Sequence, residues 1–174
     1  MNLDKKTLLL FLFAALTIAL GAQFEMPFAG NTYILSDTLS IFWGCYLGAR
    51  TGLLLLTFYL LLGIVGLPVF AEASSGWEVL LGTSGGYLLG FLLAAGVSGW
   101  WYQTRAGISK YFALLIGQII IYTLGILGLL MTTTLDLASA FRLGAMDYFP
   151  GASMKLLMAG VVLWGLGERK GWRS

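Results

Sequence analysis

Thr51–Gly66 reads TGLLLLTFYLLLGIVG, sixteen residues without a charge. A run this apolar is read here as a helix whose solvent is lipid, although it falls a little short of the roughly 20 residues that cross a bilayer unaided. Working outward, only Gly48, Ala49 and Arg50 separate it from a second apolar segment, Ile34–Leu47. The two must form a tight helical hairpin or a bent pair. A first segment runs from Thr7 to Phe24. A fourth begins at Gly85 and ends at the cluster Trp100-Trp101-Tyr102. A fifth covers Ser109–Met131 and a sixth Pro150–Leu166. The expected fold is therefore an all-α integral membrane protein with six transmembrane helices, a single unit over residues 1–174.

Composition agrees. The chain is 59% hydrophobic and 10% charged, with a mean hydropathy of +0.87, whereas a soluble domain carries about a quarter charged residues. The net charge of +2 gives no case for nucleic-acid binding. One cysteine and no histidine exclude an internal disulfide, a Cys/His zinc site and a histidine-based triad. Cys45, in an apolar run, is read as a small packing residue. There is no Gly-rich phosphate loop ending in Gly-Lys-Ser/Thr, so the chain does not hydrolyse ATP in the usual way by itself. No nucleophile–base pair suggests an enzyme, and no metal site or cofactor is expected.

Orientation follows from the basic residues. With the N-terminus inside and strict alternation, Lys5, Lys6, Arg50, Arg105, Lys110, Arg169, Lys170 and Arg173 all fall inside, and Arg142 alone falls in an outer loop. Glu25, Asp37, Glu72, Glu78, Asp136 and Asp147 fall on the outer side or in its half of the membrane. Both termini are thus expected in the cytoplasm. Lys5 and Lys6, the run from Leu8, and small Gly21 and Ala22 also resemble a signal peptide, but five further segments favour an uncleaved first helix.

Small residues at four-residue spacing mark close helix contacts in lipid. Ala15 and Ala19, Gly44 and Gly48, and Gly86 and Gly90 have this spacing. They pack within the chain, or the Ala15/Ala19 stripe docks a partner membrane subunit. Trp100, Trp101 and Tyr102, followed by Arg105, read as an interfacial belt.

Ionisable groups inside a membrane are functional candidates. Asp37 lies near the start of the second segment. Lys155 lies five residues after Pro150, which favours a helix's first position. A cation near a helix N-terminus is badly placed unless an anion or strong acceptor is close; otherwise it snorkels to headgroups. The connection Leu67–Ser84 is too apolar for a solvated loop, since Phe70, Trp77, Val79 and Leu80 need cover. It is expected to fold over a cavity mouth, or to seal the bundle as a re-entrant piece. Gly82, Ser84, Gly86 and Tyr87 follow in GTSGGY, whose backbone a ligand can approach closely. With Tyr148 they complete the candidate binding set. The residues alone leave open a ligand-binding subunit, a structural assembly subunit and a small proton-coupled exporter.

GLPVFA at Gly66–Ala71, VLLGTSGGYLLGF at Val79–Phe91 and FPGASMK at Phe149–Lys155 resemble the BioY family over nearly the whole chain. These are biotin-specific S components of energy-coupling factor (ECF) transporters. The resemblance implies the six-helix S-component fold in the bacterial inner (plasma) membrane. It implies biotin bound under the loops after helices one and three, and a membrane coupling subunit with two ATPase subunits that use ATP in trans. It also implies docking through Ala15 and Ala19; a second copy of the chain is a further partner to consider. In the family, helix six opens with Pro-Gly-Asp-x-x-Lys. Here Lys155 matches the lysine and Ala152 stands at the aspartate. The family's Gln-Thr-Leu at helix two appears as Asp37-Thr38-Leu39. Asp37 is therefore expected to supply the missing carboxylate; the other reading is specificity drifted to a related vitamin-like ligand.

Overall fold

The computed structural model describes residues 5–24, 26–28 and 31–169. The charges expected at Glu25, Lys170 and Arg173, and the side chains of Lys6 and Arg169, lie outside the described residues. Each of the six apolar segments is a helix: α1 Lys5–Gln23, α2 Ser36–Leu47, α3 Ala49–Ile64, α5 Gly85–Thr104, α6 Phe112–Thr132 and α8 Phe149–Arg169. The connections hold further elements that the sequence reading left as loops. A hairpin pairs β1 Met26–Phe28 with β2 Asn31–Tyr33. Two short helices, α4 Trp77–Leu81 and α7 Leu137–Gly144, lie before α5 and α8. Asp136 caps α7, its Oδ2 accepting from the Ala138 N–H at 3.2 Å. Hydrogen bonding to Ser139 holds this exposed carboxyl below its ordinary range.

The α2–α3 joint turns on Gly48, whose φ of 86° is open to glycine and strained for other residues. At twelve residues α2 is only about 18 Å long, too short to cross a bilayer core. It has no need to, because it packs against α1, α3, α5, α6 and α8 and buries eight of its residues. Among the described residues, Gly107–Thr132 and Leu137–Gly167 are long and apolar enough to span a membrane by themselves.

Close packing uses the expected glycines. A Cβ on Gly44 would fall 2.6 Å from the Ala95 Cα, so α2 and α5 meet backbone to backbone. Gly86 on α5 likewise faces Gly128 on α6, where a Cβ would lie 2.9 Å from the Gly128 Cα. Cys45 is buried beside the Ser98 carbonyl, a packing position as expected.

The stripe expected to dock a partner is largely used inside this chain. Ala15 is 6% exposed and belongs to the core with Ala14, Ile18 and Ala22, and Ala19 is half-buried. Helix periodicity turns these small residues toward the bundle and leaves Leu9, Leu12, Phe13, Leu16 and Leu20 outward. In this chain Ala15 thus packs internally, while Ala19 keeps part of its surface at the edge of the stripe.

The Gly48 turn and the α5–α6 turn share one end of the bundle, where the Ala49 N–H donates to Gln103 Oε1 at 3.4 Å. Arg105 lies 4.7 Å over the Trp101 ring, and Lys110 lies near the rings of Tyr102 and Tyr111. The N-termini of α2, α5 and α8 lie at the other end.

Gly86→Val is expected to destabilise the bundle by about 1–3 kcal/mol through overpacking against α6. A thermal unfolding series in detergent checks this; an unchanged midpoint would show that the two helices separate freely.

Candidate functional site

A cavity of about 680 Å3 opens among α2, α3, α5, α6 and α8 at the end away from Gly48. Its charged floor is one ion pair. Lys155 Nζ lies 2.7 Å from Asp37 Oδ1, 2.8 Å from Oδ2 and 2.7 Å from the Ile34 carbonyl oxygen. Both residues are buried, at 8% and 7% exposure for Asp37 and Lys155. The local sequence explains each placement. Asp37 sits in the first turn of α2, where the helix dipole favours an anion. Pro150 lies in the opening turn of α8, which puts Lys155 in its second turn. The anion needed to stabilise a cation there is Asp37, from across the cavity. Thr38 fixes the carboxylate further: its N–H donates to Asp37 Oδ1 at 2.6 Å and its hydroxyl at 3.2 Å.

Tyrosines supply most of the remaining polar wall. Tyr33 donates to the Asp147 carbonyl at 3.0 Å, Tyr59 to Val69 at 2.7 Å, and Tyr87 to Gly144 at 2.8 Å. Tyr122 approaches the Tyr148 carbonyl at 3.5 Å. Carbonyl oxygens only accept, so Tyr33, Tyr59 and Tyr87 each donate to the backbone between the long helices. Tyr33 also meets Tyr148 edge to face, with centroids 5.7 Å apart. Leu88, Phe91 and Ile121 provide the apolar wall.

The 67–84 connection folds over the cavity and contributes Phe70, Ala71, Glu72, Ser74, Val79, Thr83 and Ser84 to its lining. Phe70 is 1% exposed, seated against Gly63 and edge-on to Tyr59. One amide at the end of α1 clasps the segment: Gln23 Nε2 donates to the Phe70 carbonyl at 2.7 Å, and Gln23 Oε1 accepts from the Ala73 N–H at 2.9 Å. Glu72 and the anchor residue Ala73 both hold left-handed conformations, φ 56° and 53°. For non-glycine residues this costs about 1–2 kcal/mol each, which the two hydrogen bonds and the Phe70 anchor offset.

Of the expected binding residues, Asp37, Ser84, Tyr87, Tyr148 and Lys155 line this cavity. Trp77, Gly82 and Gly86 do not. Trp77 is 61% exposed on the outside of α4, Gly82 ends that helix, and Gly86 is occupied by the contact with α6. Ala152 is buried and adds nothing polar; the acid facing Lys155 comes from Asp37. The sequence reading missed Tyr33, Tyr59, Glu72 and Tyr122. A larger groove, about 900 Å3, runs between residues 107–115 and α8, but it is mainly apolar and does not include the charged pair. No group of three or more potential metal ligands occurs among the described residues.

The BioY family profile matches residues 1–170. The chain belongs to the BioY family. Among BioY relatives, the biotin transporter BioY of Thermotoga maritima is 35% identical, covering 87% of this chain and 89% of that protein. The probable biotin transporter BioY of Pyrococcus horikoshii is 31% identical, covering 91% and 93%. The biotin transporter BioY of Rhodobacter capsulatus is 31% identical, covering 92% of each chain. A crystal structure of the S component for biotin from an ECF-type ABC transporter superposes with a TM-score of 0.83 at 22% identity, over 94% of this chain and 91% of that one. The fold is thus the ECF S-component fold. BioY membership and the outward apolar helix faces make this a membrane protein.

Gln23→Ala removes both clasping bonds. At about 1–2 kcal/mol, amides of residues 69–76 should exchange with solvent roughly 5–30 times faster, with the α5 and α6 amides unchanged. Hydrogen-exchange mass spectrometry reads both, and equal rates in that segment would refute the clasp.

Proposed function

We propose that this chain captures biotin at the outer face of the bacterial plasma membrane and is the substrate-specific subunit of an ATP-driven ECF transporter. The carrying observation is the buried Asp37–Lys155 pair at the floor of an aromatic-walled cavity. A cavity of about 680 Å3 lies within the range for small-molecule sites, about 300–1,000 Å3. Biotin's cyclic urea presents two N–H donors. Asp37 Oδ2 accepts from Lys155 alone among the described residues, so it has lone pairs left for such a donor. Lys155 keeps that carboxylate ionised and aimed. The ring lies against Tyr87, Leu88 and Phe91.

The biotin transporters among the relatives, and the biotin S component that shares the fold, support this reading. So does the lack of a phosphate loop, which calls for ATPases in trans. A membrane coupling subunit and two ATPase subunits are the proposed partners, with both termini of this chain in the cytoplasm. Arg105 and Lys110 at the Gly48 end agree with that orientation.

Asp37→Asn and Lys155→Gln should each weaken equilibrium binding of radiolabelled biotin by about 10-fold or more, as expected for losing a hydrogen bond to a charged group. They should also lower the unfolding midpoint, because each leaves a buried charge unpaired. Near-wild-type affinity in Asp37→Asn would sink the assignment of Asp37 as the missing family acid. One observation favours a second reading: Ala152 departs from the family's aspartate, which suits drifted specificity. A thermal-shift panel of biotin, desthiobiotin, thiamine and lipoate decides between the two, since drift predicts stabilisation by a compound other than biotin.

A further inference from the structure

The groove of about 900 Å3 shares no charged residue with the cavity and lies between the 107–115 stretch and one face of α8, from Ser153 to Gly167. At a helical rise of about 1.5 Å per residue that face is about 21 Å long, longer than the roughly 15 Å of hydrocarbon in one leaflet. Phe112, Leu115, Leu157 and Trp164 stand exposed along it. Gly160 leaves its floor open: a Cβ there would meet the Leu114 side chain at 3.4 Å and nothing nearer. The seams at Gly44 and Gly86 are closed backbone to backbone, whereas no helix of this chain fills this one. In a bilayer, such a seam takes up whatever restores its dispersion contacts.

One end of the groove is charged. A Cβ on Gly167 would lie 3.9 Å from Lys110 Nζ. That ammonium sits 5.0 and 5.3 Å from the ring centroids of Tyr111 and Tyr102 and makes no ion pair among the described residues. Lys5, Arg50 and Arg105 share its end of the bundle. Every acid whose side chain is described, Asp37, Glu72, Glu78, Asp136 and Asp147, lies at the other end. Glu168, next to Gly167 in the sequence, is outnumbered by Arg169, Lys170 and Arg173. A second copy of the chain, inserted in the same orientation, would bring the same positive charges to this end and be repelled. An anionic lipid brings the complement, an apolar chain for the groove and a negative head group for the ammonium. We propose that the groove holds an acyl chain of an anionic phospholipid whose head group lies against Lys110. A zwitterionic phospholipid carries its own cation to the same place and is the weaker occupant.

The test uses the purified full-length chain, delipidated in detergent. It is titrated with phosphatidylglycerol and phosphatidylcholine that bear the same palmitoyl and oleoyl chains, and native mass spectrometry counts the lipid bound. Phosphatidylglycerol should bind about fivefold more tightly, as expected for one cation beside an anionic head group. Lys110→Gln should bring the two lipids within about twofold of each other. Gly160→Leu, which fills the groove, should weaken both by about fivefold or more with helicity by circular dichroism unchanged. Equal affinity of the two lipids in the wild-type chain, or a preference that survives Lys110→Gln, would overturn the proposal. So would a Gly160→Leu chain that binds lipid as the wild type does but no longer forms a dimer, because the groove would then belong to a second copy.

Discussion

Burying an ammonium and a carboxylate costs several kcal/mol per ion unless their geometry and remaining hydrogen bonds are nearly complete. The pairing of Lys155 with Asp37 meets that demand through every local feature around it. The N-terminus of α2 stabilises the anion, Thr38 adds two donors to one oxygen, and the Ile34 carbonyl takes the third lysine proton. Because α2 is enclosed by five other helices, its carboxylate is held at a fixed height. Along its length α8 seats Leu156, Ala159 and Leu163 in the core and turns Val161, Val162 and Trp164 outward. The ion pair adds the polar contact that fixes the start of α8 against α2. Site and architecture share the same atoms.

The tyrosines show the same economy. Each faces the cavity with its ring while its hydroxyl holds a connecting segment: the residues after α3 by Tyr59, and the stretch before α8 by Tyr33, Tyr87 and Tyr122. Loops ordered by groups of the cavity wall leave less ordering to be done when a ligand enters. The left-handed pair Glu72–Ala73 is the strained point in that arrangement, and the Gln23 amide holds it at Ala73 and at Phe70.

The membrane segments were legible because lipid solvation leaves a compositional mark that tolerates little ambiguity. Asp37 and Lys155 stood out as charges inside apolar runs, and their pairing could be anticipated from the dipole at the start of α8. The tyrosines were hidden. Tyr59 and Tyr122 lie in apolar helices, where an aromatic facing a cavity, a neighbour or lipid has the same sequence context. Gly86 misled for the opposite reason: a missing Cβ permits approach by a ligand or by another helix, and only the placement of Gly128 distinguishes them. Trp77 needed cover in the sequence reading but lies on the outside of α4. The hairpin at residues 26–33 and the short α4 and α7 were too brief to show a period.

Gln23 has a consequence for timing. Its single side chain closes the segment over the cavity with two hydrogen bonds to residues three apart in sequence. A cover held by many scattered contacts would peel open gradually. One held at a few neighbouring points, the Gln23 amide, the Tyr59 hydroxyl on Val69 and a buried Phe70, opens in one cooperative event. Exchange between the cavity and its surroundings then follows the frequency of that event, while the charge the cavity presents is set by Asp37 and Lys155. The two are set by different residues, on different helices, and selection can alter either one while leaving the other in place.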